Sequence, residues 1–135
     1  MKKIKLPVVT ILTLMFIFTM ISVPAHAVSK SISTDRGTME ATSTGYYLSQ
    51  TAEKCLEYMS IMKSGQTTRL YLTSSTVKYA TGDSVKRVPR WGGAGRKEIN
   101  DYFYLKNYSN TTLKSYTTHE AIYTNAHTVH LAETY

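Results

Sequence analysis

From residue 38 onward the chain alternates. Met39, Ala41 and Ser43 share one parity between Thr38, Glu40 and Thr42. That is the period-two pattern of a strand with one face on a core. In 67–73, Leu70 and Leu72 lie on one face, with Arg69, Tyr71 and Thr73 opposite. Val77 and Tyr79 continue on the other parity, so a bulge near Ser74-Ser75 is expected to join the two halves. In 99–106, Ile99, Phe103 and Leu105 share a face, and Tyr102 and Tyr104 share the other. The runs 113–124 and 127–135, joined around Asn125-Ala126, read as a hairpin with Val129 and Leu131 on one face.

One segment supports two readings. Residues 51–65, TAEKCLEYMSIMKSG, contain good helix formers, and Gly65 is placed as a helix stop. Ala52, Cys55, Leu56, Met59 and Met62 fit a helical stripe, yet the same residues also alternate. The neighbouring strands and a Gly-containing turn at 63–66 favour a strand. The whole predicts an all-β fold: a small antiparallel β-sandwich of five to seven strands after an N-terminal signal helix.

The N-terminus reads as a secretory signal. Residues 1–5, MKKIK, are a positive n-region, followed by the apolar run LPVVTILTLMFIFTMISVP and the small-x-small site Ala25-His26-Ala27. Cleavage after Ala27 is expected, with a retained membrane anchor as the alternative. The domain plan is therefore a signal peptide over 1–27, a flexible lead-in over 28–37, and one β-rich domain over 38–135. A long basic loop is expected at 81–98, where Gly, Pro and charge replace alternation.

Charge changes the picture once the signal is set aside. Thirteen of the sixteen basic residues then face nine acids, a net of +4. The stretch KRVPRWGGAGRKE, 86–98, holds five bases and one acid, which is the whole of that excess. It fails both phosphate motifs it brushes against. Arg96, Lys97 and Glu98 follow Gly95 where a P-loop needs Lys and then Ser or Thr, and Glu98 stands where the dinucleotide fingerprint needs Gly. No specific nucleic-acid contact is expected. Lys86, Arg87, Arg90, Trp91, Arg96 and Lys97 form the candidate binding set. Arginine forks, lysine point charges and an amphipathic indole suit an anionic wall polymer or membrane surface. A solvated loop with Trp91 plugging one end of the core is the structural alternative.

Other chemistry is sparse. His119-Glu120 begins an H-E-x-x-H match that Tyr123 breaks, and His127 and His130 point to opposite faces of a strand. Partly exposed strand histidines are expected, with no metal, no cofactor and no catalytic set. Cys55 is the single cysteine, so no intramolecular disulfide is available, and a buried thiol is expected. Tyr58, Tyr71, Tyr102 and Tyr104 are weighed as an aromatic platform, with ordinary strand packing favoured. Nothing in the sequence fixes an oligomeric state.

The signal peptide, the Ser/Thr/Tyr-rich strands and the closing THEAIYTNAHTVHLAETY resemble small secreted β-sandwich proteins of Gram-positive bacteria, many of them uncharacterised. The resemblance implies a fold and carries over no functional residue. The expected function is non-enzymatic contact at a cell envelope or another anionic surface through the basic segment. A bacteriocin-like antibacterial toxin is one alternative. A small secreted hydrolase using His119, His127 or His130 is another.

Overall fold

A computed structural model describes residues 24–135; residues 1–23 of the expected signal peptide lie outside the described residues, and its last four, 24–27, are strand. Eight strands follow in order: β1 (Pro24–Thr34), β2 (Gly37–Leu48), β3 (Glu53–Met62), β4 (Thr68–Lys78), β5 (Ser84–Arg96), β6 (Glu98–Leu105), β7 (Leu113–Ile122) and β8 (Ala126–Thr134). They form two antiparallel sheets, ordered β1-β2-β3-β6 and β5-β4-β7-β8. The first packs on the second with β8 across β1 and β2, β7 across β2 and β3, and β4 across β6.

The expected sandwich is therefore present, with eight strands rather than five to seven. The segment 51–65 resolves as strand, since β3 pairs along its length with both β2 and β6. Two segments expected to be irregular are strands. Residues 28–34, read as a flexible lead-in, belong to β1, and residues 84–96, read as loop, form β5. Both lie at sheet edges, where the inward side is only partly covered. In β1 only Val28 and Ile32 pack on the core, and Lys30 stands exposed between them. With a lysine between its two apolar inward residues, the strand alternates too weakly to read. The expected bulge at Ser74-Ser75 is absent from β4, which pairs residue for residue with β7. Ser74 and Thr76 continue the inward parity of Leu70 and Leu72, so small polar side chains occupy the core. The irregularities fall in β5, which slips against β4 in three places.

The core is mixed. Met39, Leu56, Met62, Leu70, Leu72, Ile99, Leu113, Val129 and Leu131 supply apolar contacts. Between them runs a seam of buried polar groups that join the sheets. Ser60 of β3 meets His119 Nδ1 of β7 at 2.8 Å, and His119 Nε2 meets Thr117 Oγ1 at 3.0 Å. The Ser74 hydroxyl donates to the Tyr58 oxygen at 3.2 Å, and Tyr58 donates to Asp101 at 2.6 Å. Glu133 of β8 accepts from the Ser43 hydroxyl at 2.5 Å and the Gly45 N–H at 2.6 Å on β2. Lys54 donates to the carbonyls of Thr111 and Tyr135 at 2.7 and 2.8 Å. Each bond adds only about 1 kcal/mol net, but leaving one partner buried and unpaired costs about 1–3 kcal/mol.

The seam makes stability depend on pH. His119 is fully buried, against the expectation of partial exposure, and burial pushes its pKa down to about 4. The folded chain thus refuses a proton that the unfolded chain takes below 6.5. This contribution is complete above pH 6.5 and is lost as pH falls toward 4. The gap corresponds to about 3 kcal/mol at 1.36 kcal/mol per pH unit. Urea unfolding should show most of that loss between pH 7 and pH 4.5, and His119→Gln should flatten this part of the profile. A flat wild-type profile across the window would contradict the assignment.

Candidate functional site

β5 carries the candidate binding set. As an edge strand it tolerates Pro89, whose missing N–H harms no inner ladder. Gly92 holds φ +139, and a Cβ there would lie 2.0 Å from the Leu70 carbonyl oxygen, so β5 crosses β4 too closely for any side chain at this position. This close approach seats Trp91 opposite Leu72. Trp91 is half-buried and packs inward against the core, with its indole N–H buried near the Tyr58 hydroxyl but outside hydrogen-bond geometry. The indole therefore anchors the strand, and does not stand out as a contact residue.

The basic side chains spread instead of converging. Arg87 lies opposite Ser75, on the outer face of the sheet. Arg90 stacks 3.6 Å above the Tyr71 ring and bonds Glu120 at 2.6 Å, also on the outer face; that carboxylate raises its already high pKa. Lys86 and Arg96 pair with the core-facing Thr76 and Thr68, yet remain exposed at the open edge. The Arg96 guanidinium is 5.9 Å from the Trp91 ring centroid. Lys97 is the single residue between β5 and β6, and its carbonyl accepts from Met62 N. Lys86 and Arg96 are roughly 30 Å apart at ~3.3 Å per strand residue. Charge, Pro89 and the broken register all blunt this edge against pairing with another strand, which is one structural reason for the basic composition.

Residues outside the segment complete the site. Arg69 and Lys114 share the outer face of the second sheet with Arg87 and Arg90, and Glu120 is the one acid at an outward strand position there. The outer face of the first sheet carries Glu40, Glu53, Glu57 and Glu98, with no Lys or Arg at an outward strand position. Lys63 and Lys106 reach Glu40 and Glu53 from the ends of that sheet, at 2.5 and 3.8 Å. The sandwich thus has one basic and one acidic face. The parity of Arg69 against Leu70 and Leu72 already carried this signal, because alternation assigns every strand charge to a face.

The remaining candidates separate. His119 is buried on Ser60 and Thr117, His127 bonds Asp35 at 3.2 Å at one end of the sandwich, and His130 meets Thr118 at 3.1 Å on the outer face. None contacts Cys55. Among the described residues no group of three or more His, Cys, Asp or Glu is placed to hold a metal ion, and no helix is long and apolar enough to cross a membrane. The four weighed tyrosines form no platform. Tyr102 and Tyr104 meet edge to face on the acidic side, Tyr58 is buried, and Tyr71 lies on the basic side. Cys55 is fully buried on its strand between Tyr46 and Tyr104, and burial first, then Glu57 and Glu53, raises its thiol pKa against the bond from Tyr46.

Comparison with known protein families, curated proteins and solved structures gives no match.

Two outcomes follow from this geometry. Gly92→Ala should destabilise the domain by about 3 kcal/mol through strain and overpacking against β4; an unchanged urea midpoint would show that β5 does not cross there. Cys55 should react with a thiol reagent at a rate limited by opening of the fold, and at least ~100-fold faster in urea. Rapid labelling of the native protein would contradict its burial.

Proposed function

We propose that this protein works outside the cell by contact with an anionic surface, presenting its basic face and the β5 edge. The carrying observation is the division of charge between the two outer faces. Edge protection accounts for Lys86, Arg87 and Arg90. It does not account for Arg69 and Lys114, which sit on the inner strands β4 and β7. An anionic wall polymer or lipid surface attracts the basic side and repels the acidic one, so the molecule is oriented as well as bound. Secretion rests on the signal-like residues 1–27.

Lys86, Arg87, Arg96, Lys97 and Lys114 form no ion pair among the described residues and remain available to a surface. Arg90 is already neutralised by Glu120 and contributes less. Each basic residue near an anionic lipid surface contributes about 1 kcal/mol. Co-sedimentation with phosphatidylglycerol vesicles, and with purified cell wall, should show binding at low salt that weakens as salt rises. Replacing Lys86, Arg87, Lys97 and Lys114 together by Gln should weaken partitioning by about 10³-fold, while Glu40→Gln with Glu57→Gln should not weaken it. No binding at low salt, or binding indifferent to the four basic replacements, would defeat the proposal.

A further inference from the structure

A second basic feature lies at one end of the sandwich. Four connections meet there: the β1–β2 turn, the β3–β4 loop, the β5–β6 corner and the β7–β8 turn. They line a cavity of about 390 Å³ bounded by Arg36, Arg69, Thr67, Thr68, Gly95 and Tyr123, among others. That volume is at the small end of ligand pockets.

The walls are built and positively charged. Asp35 clasps the β1–β2 turn to the β7–β8 turn. It accepts the N–H groups of Thr124 and Asn125 at 3.1 and 2.6 Å, Asn125 Nδ2 at 3.2 Å, and His127 Nε2 at 3.2 Å. These bonds commit its carboxylate to the turn and fix the neighbouring Arg36. The Arg36 guanidinium stacks 3.7 Å above the Tyr123 ring. Its Nη1 reaches Gln66 at a long 3.4 Å, and its buried Nε has no hydrogen-bond partner. The Arg69 head is held by the carbonyls of Ile122 and Tyr123, at 3.4 and 3.1 Å. Neither arginine forms an ion pair among the described residues. Ala94 and Gly95 fall in a register break of β5, where two small residues stand against the single Arg69 of β4. Two oriented guanidinium groups with uncommitted donors, and no acid neutralising them, call for a multidentate anion.

We propose that this cavity binds a phosphate group, with Arg36 and Arg69 as its charged donors and the Tyr123 ring holding Arg36 in place. The site shares Arg69 with the basic face but uses none of the β5 bases, so loss of the contact through β5 would leave it standing. The group arrives either free, as inorganic phosphate or a small phosphate ester, or as part of a lipid headgroup.

The test is an amide-resolved NMR titration of the purified full-length protein with inorganic phosphate and with glycerol 3-phosphate at low ionic strength. Saturable shifts are expected at Thr67, Thr68, Gly95 and Tyr123. Arg36→Gln and Arg69→Gln should each weaken binding at least ~10-fold, and Arg87→Gln should leave it unchanged. Shifts spread along β5, no saturation, or equal loss in Arg87→Gln would overturn the site. Because the mapping is done on the unmutated protein, it decides even if a variant misfolds. Phosphatidylglycerol vesicles separate the sources: competition by glycerol 3-phosphate for vesicle binding assigns a headgroup, and its absence alongside saturable soluble binding assigns a free phosphate. Arg36→Gln that loses phosphate yet still sediments with vesicles keeps the face contact and the pocket distinct.

Discussion

The buried polar seam is the constraint on which the arrangement depends. No intramolecular disulfide can tie the two sheets together, since the chain has one cysteine, and only the backbone connections at their ends pass between them. Apolar packing alone is non-directional and would allow one sheet to slide on the other. The Ser60–His119, Ser74–Tyr58 and Glu133–Ser43 contacts are directional, and each crosses from one sheet to the other. A slip of one residue in β7 would turn His119 outward and place Thr118 and Glu120 inside, leaving Ser60 without its partner. The seam therefore fixes which residues face out as firmly as which face in. The basic and acidic faces are consequences of that choice.

Charge read in sequence order and charge read in space give different accounts of this molecule. Along the sequence, the excess collects in 86–98 and the rest balances. Across the fold, the balance itself is divided: Glu40, Glu53, Glu57 and Glu98 on one face are offset by Arg69, Arg87, Arg90 and Lys114 on the other. The basic segment is then one border of a larger surface. Its own spread along an extended edge makes it a poor grip for a compact ligand and a fair match to an extended anionic polymer or a plane of headgroups. The compact site is at the end of the sandwich, where turns from both sheets bring guanidinium groups together.

Much of the fold was legible because most strands, inner or edge, obey alternation. β2, β6, β7 and β8 read directly, and β3 was decided by its neighbours against its helix-forming residues. β1 and β5 escaped where the edges β6 and β8 did not, because charged side chains take their inward positions. An edge strand lacks a second neighbour, so Lys30, Lys86 and Arg96 can sit at inward positions and still reach water, and Pro89 and Gly92 are tolerated. Ser74 and Thr76 misled in the opposite direction. The parity switch to Val77 and Tyr79 suggested a bulge, while Ser74 and Thr76 in fact stay inward and find buried partners in Tyr58 and Ser115. For the site, residue types pointed to β5 and overvalued Trp91. Arg36 and Arg69 are 33 residues apart, and tertiary contacts such as the Asp35 clasp and the Tyr123 ring bring them to one cavity.

The two polar devices respond to acid in different windows. His119 has its pKa pushed down by burial, so the seam begins to lose its contribution below pH 6.5. Asp35 has its carboxyl lowered to about 2, first by the backbone N–H of Asn125 and then by its side chain. Its contribution is complete above 3.8 and fades only as pH falls toward 2. Acid therefore loosens the register between the sheets well before it releases the turn that positions Arg36. The cavity is walled by residues of both sheets, so it rests on the seam as well as on the clasp, and the seam gives way first.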